Sequence, residues 1–220
     1  MALTFKTAVN KSSTFAYNVT QAVTISSDAN RILLACIVHA RTAPNGSSAI
    51  APTFGGVAMT NLYESTAWAF DECSVWYMIN PSSGSANFYA DVTGNSDKWG
   101  VVLQEVTGVN QITPFKTVYT TGEGTASIAS ASALDFVAGD TVYFWTGAFT
   151  TDASTTDGAD QTRQGGAFGQ WMSVSSTKTA DGSVLTDWAT SVGRVAVAFV
   201  IQADIPPSTV TSLLTPMWFF

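Results

Sequence analysis

Apolar positions along this chain come in short runs, many with a period of two, and each run is closed by Gly, Pro, Asn, Asp or Ser. Side chains alternate faces along a β-strand, so a period of two marks a strand with one covered side, and helical spacing is almost absent here. The pattern predicts strands at "LTFKTAV", "QAVTIS", "RILLACIVHA", "APTF", "VAMTNLY", "CSVWYMIN", "SANFYADV", "WGVVLQEVTG", "TASIAS", "DTVYFWTGAF", "FGQWMSVSSTK", "SVLTDW" and "RVAVAFVIQA". A spacing of about 8 to 14 residues leaves no room for crossover helices, so the sheets should be mostly antiparallel. The expected fold is all-β, an antiparallel two-sheet β-sandwich of jelly-roll or lectin-like type with a C-terminal extended arm.

Two strands lack a wet side. In "SVWYMIN", Val75, Tyr77 and Ile79 alternate with Trp76 and Met78, and in "RVAVAFVIQA", Val195, Val197, Phe199 and Ile201 alternate with Ala196, Ala198 and Val200. Such strands are covered on both faces, either by further chain of the same molecule or by a partner subunit. The turns are more specific. Gly55-Gly56 in "TFGGVAMT" suits the positive φ angles of a two-residue hairpin, and "MINPSSGSANF" stops one strand at Asn80-Pro81 and reverses at Gly84. After Ala203, "DIPPSTVTSLLTPMWFF" carries two adjacent prolines and then a third, which break both helix and internal strand. The division expected is a sandwich domain over 1–203 and an extended arm over 204–220, with Met217, Trp218, Phe219 and Phe220 as docking groups.

Composition sharpens this. Charged residues are 11% against 46% hydrophobic, and the net charge of -7 comes with only nine Lys and Arg, none clustered, which argues against nucleic acid as a partner. The longest apolar run, "ILLACIVHA", is far short of the roughly 20 residues of a spanning helix, so no membrane partner is expected. The start "MALTFKTAVNKSSTF" has no positive region followed by an apolar run, so synthesis in a cytoplasm without a secretion signal is expected, and Cys36 and Cys73 read as buried thiols rather than a disulfide.

The candidate chemistry is sparse. The single histidine, His39, lies three positions from Cys36, a spacing that puts the two on opposite faces of a strand, so His39 reads as structural. Asp71, Glu72 and Glu105 are the visible carboxylates for a glycosidase pair, but neighbours on a strand point apart. Asp152, Asp157 and Asp160 share a polar loop without the spacing of a calcium loop, and no cofactor or metal is expected. Trp68 and Phe70 in "STAWAFDE", and Trp99 after "GNSDK", are either packing anchors or, on loops, a stacking platform for a sugar ring.

Taken together, "TFGGVAMT", "VWYMINPSSGSANFYADV", "VTGVNQITPF", "AGDTVYF" and "VAVAFVIQA" resemble, in that order, a β-sandwich module of bacteriophage virion proteins that also occurs in some bacterial surface proteins. The resemblance covers roughly residues 20 to 203, and Asn110 and Ile112 depart from its "SGVDQTTP"-like segment. It implies an architecture and a virion setting rather than a reaction. The expectation that follows is a non-enzymatic capsid decoration or cement protein, made in the host cytoplasm and carried on the virion. It would assemble as a homo-oligomer, a trimer at a guess, against itself and the major capsid protein or another virion protein through the aromatic arm. The alternative is a receptor- or carbohydrate-binding head using Trp68, Phe70 and the 151–166 loop, and the arm could instead fold back over its own sandwich.

Overall fold

The computed structural model describes residues 2–13, 18–40, 51–65, 71–91, 99–120, 124–131, 139–149, 155–167, 171–179 and 184–204. In chain order the strands are β1 (Thr4–Phe5), β2 (Val9–Ser13), β3 (Asn18–Ile25), β4 (Ile32–Ala40), β5 (Thr53–Phe54), β6 (Val57–Ala58), β7 (Thr60–Ser65), β8 (Asp71–Ile79) and β9 (Gly84–Asp91). They continue as β10 (Trp99–Thr107), β11 (Phe115–Thr120), β12 (Gly124–Ala131), β13 (Thr141–Phe149), β14 (Thr155–Asp157), β15 (Thr162–Ala167), β16 (Trp171–Lys178) and β17 (Val184–Ile201).

The expected all-β antiparallel sandwich is what the structure shows, and it is built from three hydrogen-bonded sheets rather than two. A six-stranded sheet runs β1-β10-β4-β8-β7, with β2 also on β10; a seven-stranded sheet runs β11-β17-β13-β16-β15, with β12 and β14 on β17; a four-stranded sheet runs β3-β9-β5-β6. The six-stranded sheet is the middle layer, and alternation along β4 explains how. Ile32, Leu34, Cys36 and Val38 pack with Tyr143, Trp145, Val197 and Phe199 of the seven-stranded sheet. The intervening Leu33, Ala35 and Ile37 pack with Val19, Val23, Phe54 and Phe88 of the four-stranded one. Each fully buried aliphatic or aromatic side chain contributes about 1.5–3 kcal/mol of transfer free energy. A run such as "ILLACIV" is therefore stable only where both of its faces are dry.

The same layering accounts for "SVWYMIN". Val75 and Tyr77 join the packing toward the seven-stranded sheet, while Trp76 and Met78 join that toward the four-stranded sheet. In β17, Val197, Phe199 and Ile201 face the middle layer, and Ala196, Ala198 and Val200 on the other face are also 0–1% exposed within the single chain. Apart from Ile79, which is 39% exposed at the end of β8, these two-faced strands are covered by their own chain.

Aromatic contacts tie the layers together. Tyr77 meets Phe115 edge-on with centroids 4.8 Å apart, Phe115 meets Phe199 at 5.5 Å, Phe199 stacks with Tyr143 at 5.2 Å, and Tyr143 with Phe5 at 6.1 Å. The glycine-pair hairpin forms as expected, with Gly55 and Gly56 at φ 57° and 79°. The Asn80-Gly84 connection also forms, and it carries the chain from the middle sheet to the four-stranded one.

β17 joins what the sequence pattern split into "SVLTDW" and "RVAVAFVIQA", and it is bent. Asp157 pairs with Thr186, whereas Thr162 stands, through Thr177 and Tyr143, level with Phe199. On a straight strand those levels would lie about 43 Å apart, yet the chain from 157 to 162 reaches about 18 Å at most. The bend coincides with irregular pairing, where Ala126 and Ile128 of β12 oppose Val192 and Asp187.

Candidate functional site

One end of the sandwich is closed by a polar network that holds several connections and the end of β17 together. It begins at Glu105 on β10, which is 5% exposed. Its two carboxylate oxygens accept the backbone N–H of Ser26, each at 3.1 Å, and Oε1 also accepts the Ser26 hydroxyl at 2.6 Å. The β3–β4 turn is thereby fixed to the middle sheet. Lys6 pairs with Asp28 in that turn at 2.6 Å. Arg31 donates through Nε to the Pro81 carbonyl and through Nη1 to the Asp28 carbonyl, both at 2.7 Å, which ties the β8–β9 connection to the same turn.

The β10–β11 connection and the end of β17 complete this rim. Val109 donates its N–H to the Asn30 carbonyl at 2.8 Å, Asn110 to the Gln202 carbonyl at 2.9 Å, and Gln202 to the Pro114 carbonyl at 2.9 Å. Asp204 donates its N–H to the Gly108 carbonyl at 2.7 Å and accepts from Asn30 Nδ2 at 2.6 Å, so the body extends to Asp204. Asp140, 2% exposed, pairs with Lys116 at 2.8 Å and also accepts the Ala203 N–H. Gly108 is required: its φ is 76°, and a β-carbon there would meet the Ala2 carbonyl.

On this braced rim the 110–113 turn is held by its own side chains. Asn110 Oδ1 accepts the N–H groups of Ile112 at 2.9 Å and Thr113 at 3.1 Å, and Gln111 Nε2 donates to the Val109 carbonyl at 3.0 Å. The turn presents Ile112 at 90% exposure, the barest large apolar side chain among the described residues. Ile79, at the end of β8, is 39% exposed. The Tyr77–Phe115 contact brings that strand end to the chain that follows Ile112. The sequence marks Ile112 only as a departure from the resembled segment, because an isolated isoleucine in a turn has no periodicity to show its exposure; the signal available was an apolar residue two places after an Asn that forms an Asx turn.

The predicted site residues lie elsewhere or outside the described residues. Met217, Trp218, Phe219 and Phe220 are outside them, and Asp204, the last described residue before them, is held on this rim. Trp68 and Phe70 are also outside them, and their segment joins Ser65 to Asp71 at the opposite end of the middle sheet, about 26 Å along β8 from Ile79. The two candidate surfaces are therefore attached at opposite ends. Asp71 and Glu72 open β8, and Glu72 is level with His39 and Trp99. Glu105 is level with Leu33, six residues away along β4, so Glu72 and Glu105 are about 20 Å apart in strand level and cannot flank one bond as a carboxylate pair. Asp157 is engaged by Arg163 Nε at 2.6 Å, Asp160 occupies a turn at φ 61°, and Asp152 is outside the described residues. Trp99 is packing, 1% exposed against the four-stranded sheet. Cys36 is a buried free thiol, and burial pushes its pKa far above the ordinary value.

Among the described residues no three His, Cys, Asp or Glu side chains come together as a metal group, and no helix is long and apolar enough to cross a membrane. No family model, no curated protein and no solved structure matches the chain.

Proposed function

We propose that this chain is a bacteriophage virion structural protein, a capsid decoration or cement protein that works as a homo-oligomer on the head, with residues 205–220 as its docking arm. One observation carries the reading. An internally hydrogen-bonded rim bears a bare Ile112 and holds Asp204, and the residues that follow Asp204 in sequence include Leu213, Leu214, Met217, Trp218, Phe219 and Phe220 and no charged residue. The order of the sequence segments quoted above supports the virion setting. The covered outer faces of the strands mean that assembly, on this reading, rests on the arm rather than on sheet faces.

The test compares the full chain with one ending at Asp204. Light scattering is expected to give a defined oligomer for the first and a monomer for the second, with the near-ultraviolet dichroism of the body unchanged. Added to phage heads that lack the protein, the full chain should co-sediment and the shortened one should not. Loss of a buried aromatic anchor costs about 2 kcal/mol or more, roughly thirtyfold in affinity. Equal masses and equal sedimentation for the two proteins would overturn the reading.

A further inference from the structure

We infer that the rim around Ile112 and Ile79 is the acceptor for the 205–220 segment of a second copy of this chain, an inference that rests on the proposed arm-mediated assembly. The first ground is exposure. Ile112 is 90% exposed in the single chain although the turn beneath it is fixed by Asn110 and Gln111, and Ile79 is 39% exposed at the end of the strand whose Tyr77 meets Phe115, three residues after Ile112. An apolar group held in place before binding loses little conformational freedom when it docks, so most of its burial appears as affinity.

The second ground is charge. The rim's ionic groups already have partners within the molecule: Lys6 pairs with Asp28 and Lys116 with Asp140, while Asp204 accepts from the Asn30 amide, Glu105 from Ser26, and Arg31 donates to two carbonyls. A neutral partner suits this rim, because docking it does not require these hydrogen-bonded ionic groups to give up the partners they already have. The segment 205–220 has no Asp, Glu, Lys or Arg.

The third ground is where that segment starts and how far it goes. It follows Asp204 in sequence, and the Asp204 N–H is held by Gly108, four positions before Ile112. Its sixteen residues reach at most about 55 Å, enough to cross to a neighbouring copy. Pro206 and Pro207 disfavour the helical region at Ile205 and Pro206 and favour an extended course there, which suits reach to a neighbour's rim.

The experiment uses the full chain with a photoreactive benzoylphenylalanine in place of Ile112, prepared unlabelled and with nitrogen-15 and mixed before irradiation. Crosslinks from position 112 to residues 213–220 in mixed-isotope pairs are expected, together with at least about a tenfold weaker self-association for Ile112→Asp and for Trp218→Ala. Crosslinks to 213–220 confined to a single isotope would place the segment on its own rim and overturn the inference. Self-association that survives Ile112→Asp but not Trp218→Ala would move the acceptor elsewhere while leaving arm-mediated assembly standing. A chain that stays monomeric at all concentrations would overturn both.

Discussion

A carboxylate 5% exposed within a sheet is costly unless its oxygens are occupied, and Ser26 occupies those of Glu105 with two donors. The neighbouring Lys6–Asp28 pair differs in setting, because its side chains remain 37% and 49% exposed and solvent screens them. The hydrogen bond between them holds Lys6 above its ordinary 10.5 and Asp28 below its ordinary 3.8. A lowered Asp28 stabilises the fold above about pH 3.8 and loses that contribution as the pH falls through its folded value. A raised Lys6 contributes fully below about pH 10.5 and loses it as the pH rises through its folded value. Asp28→Asn should therefore lower the urea midpoint modestly at pH 7, with the difference from the wild type closing as the pH falls below 3.8 and through the folded value of Asp28. A constant difference across that range would mean that the pair contributes nothing through charge.

At the scale of elements, legibility depended on whether a strand carried its own pattern. β4, β8, β9, β10 and β13 did, since their apolar residues outnumber their polar ones or alternate with them. β15 did not: "TRQGGA" has two glycines, an Arg and a Gln, and falls in what the sequence presents as a polar loop. It is a strand because Thr162 to Ala167 pair with β16 and because its backbone lies against the middle sheet. A β-carbon on Gly165 would come within 2.7 Å of Ala8 Cβ and 3.2 Å of Val102 Cγ1. The glycine that weakens the sequence signal is what lets the sheets approach. Gly165→Ala should cost about 1–3 kcal/mol as overpacking, a fall in Tm of about 2–10 °C by calorimetry for a domain of this size, and an unchanged Tm would show that the two sheets part freely there. β11 escaped notice for a related reason, since "FKTVYT" alternates only weakly and its pairing with β17 is supplied by the fold.

On the scale of the whole molecule, the middle layer makes Cys36 a reporter. It is 0% exposed between two sheets, and burial raises its thiol pKa well above the ordinary value, so little thiolate forms in the native state. Alkylation of Cys36 by iodoacetamide at pH 8, followed by peptide mapping to separate it from Cys73, should be slowed more than about a thousandfold relative to the unfolded chain and should track global opening. Rapid labelling without loss of near-ultraviolet dichroism would show that the layers separate locally.

By itself the sequence determined that the chain is all-β and antiparallel, where the glycine-pair turn lies, that "SVWYMIN" and "RVAVAFVI" are covered on both faces, and that an uncharged aromatic segment follows the body. Periodicity, turn chemistry and proline are local properties, and a local reading reaches them. Only the tertiary structure decided that there are three layers, that the two-faced strands are covered by their own chain except at Ile79, and that Ile112 stands bare on a braced rim that also holds Asp204. Those facts depend on pairings between residues far apart in sequence, such as Ser26 with Glu105, Asn30 with Asp204, and Asp140 with Ala203. Sequence spacing does not reveal which such residues meet, because a period of two says that a face is covered and never by what.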